Sequence, residues 1–382
     1  MRMLRVIGSL DPADGGPSEG LRLSAAELAR MGCETEVATV DEPDSPWLGS
    51  SPFKVHAFGG RKRPYSYSPG LLRWLRRNAA AYDVVIQHGL WNYTAYATSR
   101  VLRGSRTPYF VFTHGMLDPW FRQNYPLKHV MKQMFWFGSE GRLVNHARAV
   151  LFTSEEERRV SRDAFFPYRL NERVVSYGTV EAKGDPQVQR AAILNTLPAL
   201  AGRRFILFLG RLHPKKGCDL LLRAFARVAR AHPDLDLVMA GPDQTGWRRE
   251  LEAIAAGGGV AGRVHWPGML RGEAKAGAFR LCEAFALPSH AENFGIAVAE
   301  ALSYGKPVLI TRKVNIWREI EEAGAGLVAA DDQEGVNALL DGFMANPQFG
   351  AAAAKAARDV FLAKFEIKRA AASLLETISA YA

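Results

Sequence analysis

The sequence predicts two doubly wound α/β domains, each built on a parallel sheet. Three observations carry this reading. The chain has 382 residues, more than one core comfortably takes and enough for two ordinary domains. Short apolar runs recur along its whole length without in–out alternation, the pattern of strands buried on both faces. Stretches of helical periodicity fill the gaps between those runs, as layers of helix on both sides of a parallel sheet require.

In the first half the expected strands are Leu4–Gly8, Thr35–Val40, Val84–Gln87, Tyr109–Phe112, Val150–Phe152 and Val174–Tyr177. Helical stretches include Leu21–Met31, Leu71–Ala80 and Leu127–Phe137. In the second half the strands are Phe205–Leu209, Leu235–Ala240, Val264–Trp266, Ala284–Leu287, Pro307–Ile310 and Gly326–Val328, with helices such as Cys218–Ala231 and Ile296–Tyr304. The polar stretch Gly178–Gly202 contains Pro186 and Pro198 and precedes a fresh strand. This places one domain at 1–180, a linker at 181–202 and a second domain at 203–363. The alanine-rich tail from Asn346 reads as two or three closing helices.

Composition excludes several classes. With 48% hydrophobic and 23% charged residues, the chain is neither disordered nor of low complexity. Its apolar runs are shorter than a membrane span, and Met1–Leu10 lacks the features of a signal peptide. A cytoplasmic protein is expected. Cys33, Cys218 and Cys282 are odd in number and widely spaced, which suits a reducing compartment and forms neither a disulfide framework nor a metal motif.

The formal net charge is +10, mostly from the first half. No acidic residue lies between Asp44 and Asp83, where Lys54, Arg61, Lys62, Arg63, Arg73, Arg76 and Arg77 alternate with Trp47, Phe53, Phe58, Tyr65, Tyr67 and Trp74. Pro119–Ser139 also lacks acidic residues and carries Trp120, Phe121, Tyr125, Lys128, Lys132, Phe135, Trp136 and Phe137. Lys128 and Lys132 share a helical face. Two readings stay open for that stretch: an interfacial helix on an anionic membrane, or a core-facing helix with a solvated lysine stripe. For the domain as a whole, peripheral association with the cytoplasmic face of the inner membrane is expected.

Ligands of open parallel sheets bind beyond the carboxyl ends of the strands. Four motifs stand there. Asp14-Gly15-Gly16-Pro17-Ser18 follows the first strand and opens a helix whose N-terminus favours an anion. It is not a GxGxxG fingerprint, which argues against a dinucleotide dehydrogenase. Thr113-His114-Gly115-Met116 follows another strand, and Gln87-His88-Gly89 is its weaker counterpart. In Gly210–Gly217, Arg211 and Lys216 can reach a diphosphate and stabilise its departure. The stretch Pro288–Glu300 combines a strand end, a loop and a helix start. Its carboxylates Glu292 and Glu300 lie on the order of 10 Å apart along a helix rise of about 1.5 Å per residue. Free backbone amides around Phe294–Ile296 would face an anion there. Each motif also has a plainer reading: a turn, a loop tie, a solvated basic loop, a capping carboxylate.

Taken together and in this order, these residues resemble the retaining GT-B glycosyltransferases of glycosyltransferase family 4. The resemblance covers essentially the whole chain and is strongest from Phe205 to Leu327. Its signature of two glutamates separated by seven residues matches Glu292 and Glu300, and the Gly-Arg-Leu…Lys-Gly loop matches Arg211 and Lys216. The resemblance implies two Rossmann-like domains facing a cleft and a nucleotide-diphosphate sugar, UDP- or GDP-linked, as co-substrate with no further cofactor and no metal. Arg211 and Lys216 would neutralise the diphosphate. Glu300 would hold the ribose, and Glu292 with the amides of Asn293 to Gly295 would hold the sugar. Gly241, Met269 and Leu270 would flank the base. Gly15, Gly16 and His114 would act from the first domain, and a final helix at about 364–382 would return to it. The implied acceptor is a glycan or a lipid-linked species, in bacterial surface polysaccharide assembly. The family's Asn-Gly at the domain junction is Tyr177-Gly178 here.

Three other readings are weaker. A nucleic-acid-binding protein would suit the basic charge, but no such module is present. A two-domain solute-binding protein needs export. A sugar-nucleotide epimerase of the same fold needs paired acid and base carboxylates, which His114-Gly115 and the Glu292–Glu300 pair do not resemble.

Overall fold

A computed structural model describes residues 1–49, 51–120, 122 and 125–381. Phe121, one of the aromatic residues singled out above, lies outside them. The chain divides into two compact units, Met1–Gly178 with Ile367–Ala382, and Thr179–Glu366.

The first unit is a seven-stranded sheet in the order β3-β2-β1-β4-β5-β6-β7, all pairs parallel. Its strands are β1 (Arg2–Ile7), β2 (Glu34–Thr39), β3 (Lys54–Ala57), β4 (Val84–His88), β5 (Tyr109–Phe112), β6 (Ala149–Phe152) and β7 (Glu172–Val174). β3 was not among the expected strands. It has four residues at the sheet edge inside the basic aromatic segment, too short to show an apolar run. β7 begins two residues earlier than expected, at Glu172. Period-two geometry separates the sheet's faces. Leu4, Val6, Val85 and Val111 enter one apolar cluster. Met3, Ile86, Phe110 and Phe112 enter the other, with Leu28 of the Gly16–Arg30 helix and Ala371, Leu374 and Ile378 of the Ile367–Ser379 helix. The C-terminal helix thus completes the core of the first unit.

The second unit has six strands in the order β10-β9-β8-β11-β12-β13, again all parallel. They are β8 (Arg204–Leu209), β9 (Leu235–Ala240), β10 (Val264–Gly268), β11 (Ala284–Leu287), β12 (Val308–Thr311) and β13 (Gly326–Ala329). The structure corrects the expected linker at 181–202. Pro186–Thr196 is a helix, started by a proline in its first turn and capped by the Asp185 carboxylate on the Gln187 amide. Buried Gln189 accepts from Arg280 Nε at 2.6 Å, which ties it to the Gly272–Leu281 helix of the second unit. Its one buried apolar side chain, Ile193, is too few to give the segment a visible apolar stripe.

The Pro126–Phe135 helix buries none of its residues. Leu127 is 83% exposed and Met134 70%, with Val130 and Met131 also exposed. Of the two readings left open for this stretch, a core-facing helix is not what forms.

Candidate donor site

In both sheets the strand order reverses beside the first strand, between β1 and β4 and between β8 and β11. Those switch points open a crevice past the strand ends, where ligands of this architecture bind.

In the second unit, β8 and β11 are neighbours, so the loops after them meet although they lie about 80 residues apart in sequence. The 210–217 loop ends in a turn over Pro214–Lys216 and then Gly217, with φ +64°. A Cβ at 217 would stand 2.1 Å from the Pro288 carbonyl oxygen, so only glycine lets the loops close. His290 N donates to Lys215 O at 2.9 Å and locks them together. At their junction Lys216 Nζ forms an ion pair with Glu292. Burial pushes the Glu292 carboxyl up, but Lys216, Lys215 and Arg211 together hold it below the usual carboxylate range. The site therefore holds a mostly buried anion among three cations, and Arg211 itself is exposed.

The rest of the predicted donor set lies around this pair. Gly295, in the left-handed region at φ +75°, precedes the Ile296–Ser303 helix, in whose first turn the Val298 and Ala299 amides donate to Gly295 O and those of Ile296 and Ala297 have no partner among the described bonds. Phe294 is buried edge-on against Phe365, so an anion would meet its backbone amide and not its ring. Glu300 accepts from Lys275 Nζ at 2.6 Å. Met269 is exposed and Leu270 buried. Gly241 has a packing duty: a Cβ there would stand 1.7 Å from the Gly210 oxygen, where the β8 and β9 ends converge.

In the first unit, Gly15 precedes the Gly16–Arg30 helix with φ +91°. Tyr177 Oη donates to Gly16 O at 3.2 Å, and the Tyr177 ring stands 6.2 Å from that of His114. Gly15, Gly16 and His114 are thus gathered at one end of this sheet, and Tyr177, the departure from the family's asparagine, bridges them. His114 has φ +49°, uncommon for a residue with a side chain. Glu157 holds it there. One carboxylate oxygen of Glu157 accepts from Thr113 Oγ1 and Gly115 N, both at 2.7 Å. The other accepts from Thr153 N at 2.7 Å and Thr153 Oγ1 at 2.8 Å.

Two family models match the chain. The Glycosyl transferase 4-like domain matches residues 15–178, and Glycosyl transferases group 1 matches residues 190–360. Together they span most of it. The chain belongs to the GT-B glycosyltransferases. The phosphatidyl-myo-inositol mannosyltransferase of Mycolicibacterium smegmatis is 32% identical over 151 residues, 39% of this chain and 38% of that protein. A D-inositol 3-phosphate glycosyltransferase of Arthrobacter is 30% identical over 187 residues, 47% of this chain and 43% of that one. The matched stretches thus span about two fifths of these relatives' length. The crystal structure of Anabaena HepE in complex with UDP and glucose shares the fold, with a TM-score of 0.80 at 19% identity and full coverage of both chains.

Sequence reasoning about this GT-B chain missed three residues. Glu157 stands in the run Glu155-Glu156-Glu157 at a helix start, where nothing in the sequence sets it apart from its neighbours. Lys275, the partner of Glu300, lies on the Gly272–Leu281 helix with no motif around it. Arg5 gave a signal that passed unread: an arginine between Leu4 and Val6, in a strand expected to be covered on both faces, must be buried and therefore partnered. It is 1% exposed.

Proposed function

We propose that this GT-B chain transfers a hexose from a UDP- or GDP-linked donor to a hydroxyl of a glycan or lipid-linked acceptor, without a metal and with retention of anomeric configuration. The observation that carries the reading is the Lys216–Glu292 pair beside Arg211 at the β8–β11 switch point. An entering diphosphate offers Lys216 more charge than one carboxylate does. Lys216 then turns to the phosphates with Arg211, and Glu292 is released to accept from sugar hydroxyls. At the reacting carbon the bond to the phosphate oxygen breaks and the bond to the acceptor oxygen forms on the same face. The acceptor's proton passes to the departing phosphate, whose growing charge Arg211 and Lys216 already face. Glu292 positions hydroxyls and is neither nucleophile nor base. Glu300 takes the ribose hydroxyls in place of Lys275, the amides of Asn293 to Ile296 lie along the donor, and Gly241, Met269 and Leu270 flank the base. In the first unit, by the same reading, Gly15 and Gly16 leave room for a ligand and His114 offers a hydrogen bond to a sugar hydroxyl.

Nucleotide binding is the direct test. UDP or GDP at about 100 times its dissociation constant should raise stability by about 2.7 kcal/mol, read as a thermal shift of several degrees. If no nucleoside diphosphate or its sugar shifts the melting curve, the donor assignment is wrong.

The same reading places the chain at the cytoplasmic face of the inner membrane, serving surface polysaccharide assembly. No helix among the described residues is long and apolar enough to cross a membrane. The Pro126–Phe135 helix supports a peripheral contact instead. It turns Leu127, Val130, Met131 and Met134 outward beside Lys128 and Lys132, and nearby Phe166 is 75% exposed. Exposed apolar side chains beside the exposed Lys128 suit the boundary between acyl chains and anionic headgroups, whereas Lys132 lies over the Trp91 ring. The protein should co-float with phosphatidylglycerol vesicles and not with phosphatidylcholine ones, and a Leu127→Asp, Met131→Asp double variant should stay behind. Equal recovery with both lipids would remove the membrane from the proposal.

A further inference from the structure

Behind His114 lies a chain of buried groups that no part of the donor chemistry uses. Arg5 in β1 donates through Nε to His88 Nε2 at 3.1 Å, across the β1–β4 switch point. Its Nη1 donates to Ser24 Oγ at 2.7 Å and to Leu21 O at 3.3 Å, both on the Gly16–Arg30 helix. His88 Nδ1 lies 2.9 Å from His114 Nε2. The His88 ring stacks on Phe112, which keeps it in plane with His114. Arg5 and His88 are almost wholly buried, and His114 is the member that reaches the surface.

Donor and acceptor rules leave one arrangement of protons. A guanidinium has only donors, so His88 Nε2 must accept and the His88 proton sits on Nδ1. That proton points at His114 Nε2, which must accept in turn. The His114 proton is therefore on Nδ1, the ring nitrogen with no hydrogen-bond partner among the described residues. Adding a proton to either ring would set two N–H groups against each other. Among the described residues, the titratable groups next nearest on neighbouring elements are Tyr177, whose ring lies 6.2 Å from that of His114, and Glu157, whose carboxylate is bonded to the adjacent Gly115 amide. Consistently, burial and the charge of Arg5 push the His88 imidazole well below its ordinary range and that of His114 down to about 3.

We propose that Arg5 and His88 are positioning residues that fix the tautomer of His114, so that it meets a sugar hydroxyl as a neutral Nδ1–H donor. The proposal rests on the glycosyl-transfer reading for the identity of the ligand, but the tautomer does not. A ring that can neither charge nor exchange donor for acceptor presents one fixed hydrogen bond. A hydroxyl that accepts from it is oriented, and a competing cation at the reacting carbon is avoided.

The test reads ring nitrogens by long-range ¹H–¹⁵N correlation in the full-length protein labelled with ¹⁵N-histidine, assigned through His88→Gln and His114→Gln. Both rings should be the Nδ1–H form, unchanged from pH 8 to pH 5. In Arg5→Met, His88 loses its fixed donor. His114 should then show mixed tautomers and should titrate above pH 5. Sugar transfer should fall on the order of 10- to 100-fold, by analogy with the loss seen when groups orienting a metal-ligating histidine are removed. It should also gain an acid limb between pH 5 and 7 that the parent lacks. An Nε2–H ring at His114 in the unaltered protein overturns the relay, and this measurement holds even if Arg5→Met does not fold. An Arg5→Met protein with the parent's tautomer and pH profile overturns it too. The expected tautomers with no transfer from any nucleotide sugar would instead sink the functional reading and leave the relay standing.

Discussion

Lys216→Ala is expected to lower kcat roughly 100- to 1000-fold, the scale of removing one fixed charge or donor aimed at a leaving oxygen. Lys216 is one of two cations placed for a departing diphosphate, and it is the one held in register by Glu292 through the Gly217–Pro288 contact. Its loss also leaves Glu292 with only Lys215 and Arg211 as counter-charges, so the Glu292 carboxyl should move up towards its ordinary value. Glu292→Ala should cost activity on the same scale by a different route: the cations keep the diphosphate, but the sugar is no longer oriented. Steady-state kinetics on both variants, with melting curves within a few degrees of the parent, would separate chemistry from folding. Normal turnover in both would refute the assignment of this pair.

Glu157→Ala should be the most destabilising single change near the candidate site. The carboxylate accepts four hydrogen bonds, from Thr113, Gly115 and twice from Thr153, and it is fully buried. Each buried donor left unsatisfied costs about 1–3 kcal/mol, less where water can enter, so a total of about 4 kcal/mol is expected. Urea unfolding followed by circular dichroism would measure it. Glu157→Gln should fall between the two proteins, because its amide oxygen can still serve one pair of donors while its NH2 faces the other. The loss should also reach function, since the Gly115 amide would lose its acceptor beside the strained His114 backbone and keep only the turn bonds from Asp118 N to Gly115 O and from Met116 N to Thr113 O. A Glu157→Ala protein within about 1 kcal/mol of the parent would mean that the carboxylate does not hold this loop.

The junction at Tyr177 shows how a departure from a family pattern acquires a physical meaning. The tyrosine hydroxyl reaches the Gly16 carbonyl, and its ring fills space that only the missing side chain of Gly20 leaves open, since a Cβ there would lie 1.8 Å from that hydroxyl. A longer side chain at the junction and a glycine in the first helix are therefore one adjustment. Neither position alone indicates this.

Much of this protein was legible in its residues. Short unalternating apolar runs separated by stretches of helical periodicity fit strands covered on both sides, so the parallel sheets and the helical layers were legible from the pattern along the chain. Arg211, Lys216 and Glu292 were visible because each stands in a loop past such a run, where ligands of these sheets bind, and Glu300 through its spacing from Glu292. Strand order was not legible, because side chains that pack sheet against helix look alike whichever strand is the neighbour. Only the tertiary structure put β8 beside β11 and joined Lys216 to Glu292. It also put β1 beside β4 and so brought Arg5 to His88. The helix at Pro186–Thr196 and the outward face of Pro126–Phe135 were likewise decided by what packs against them. Local pattern reports how much of a residue must be covered. Which partner covers it, and hence which proton or charge it carries, is set by neighbours remote in the chain.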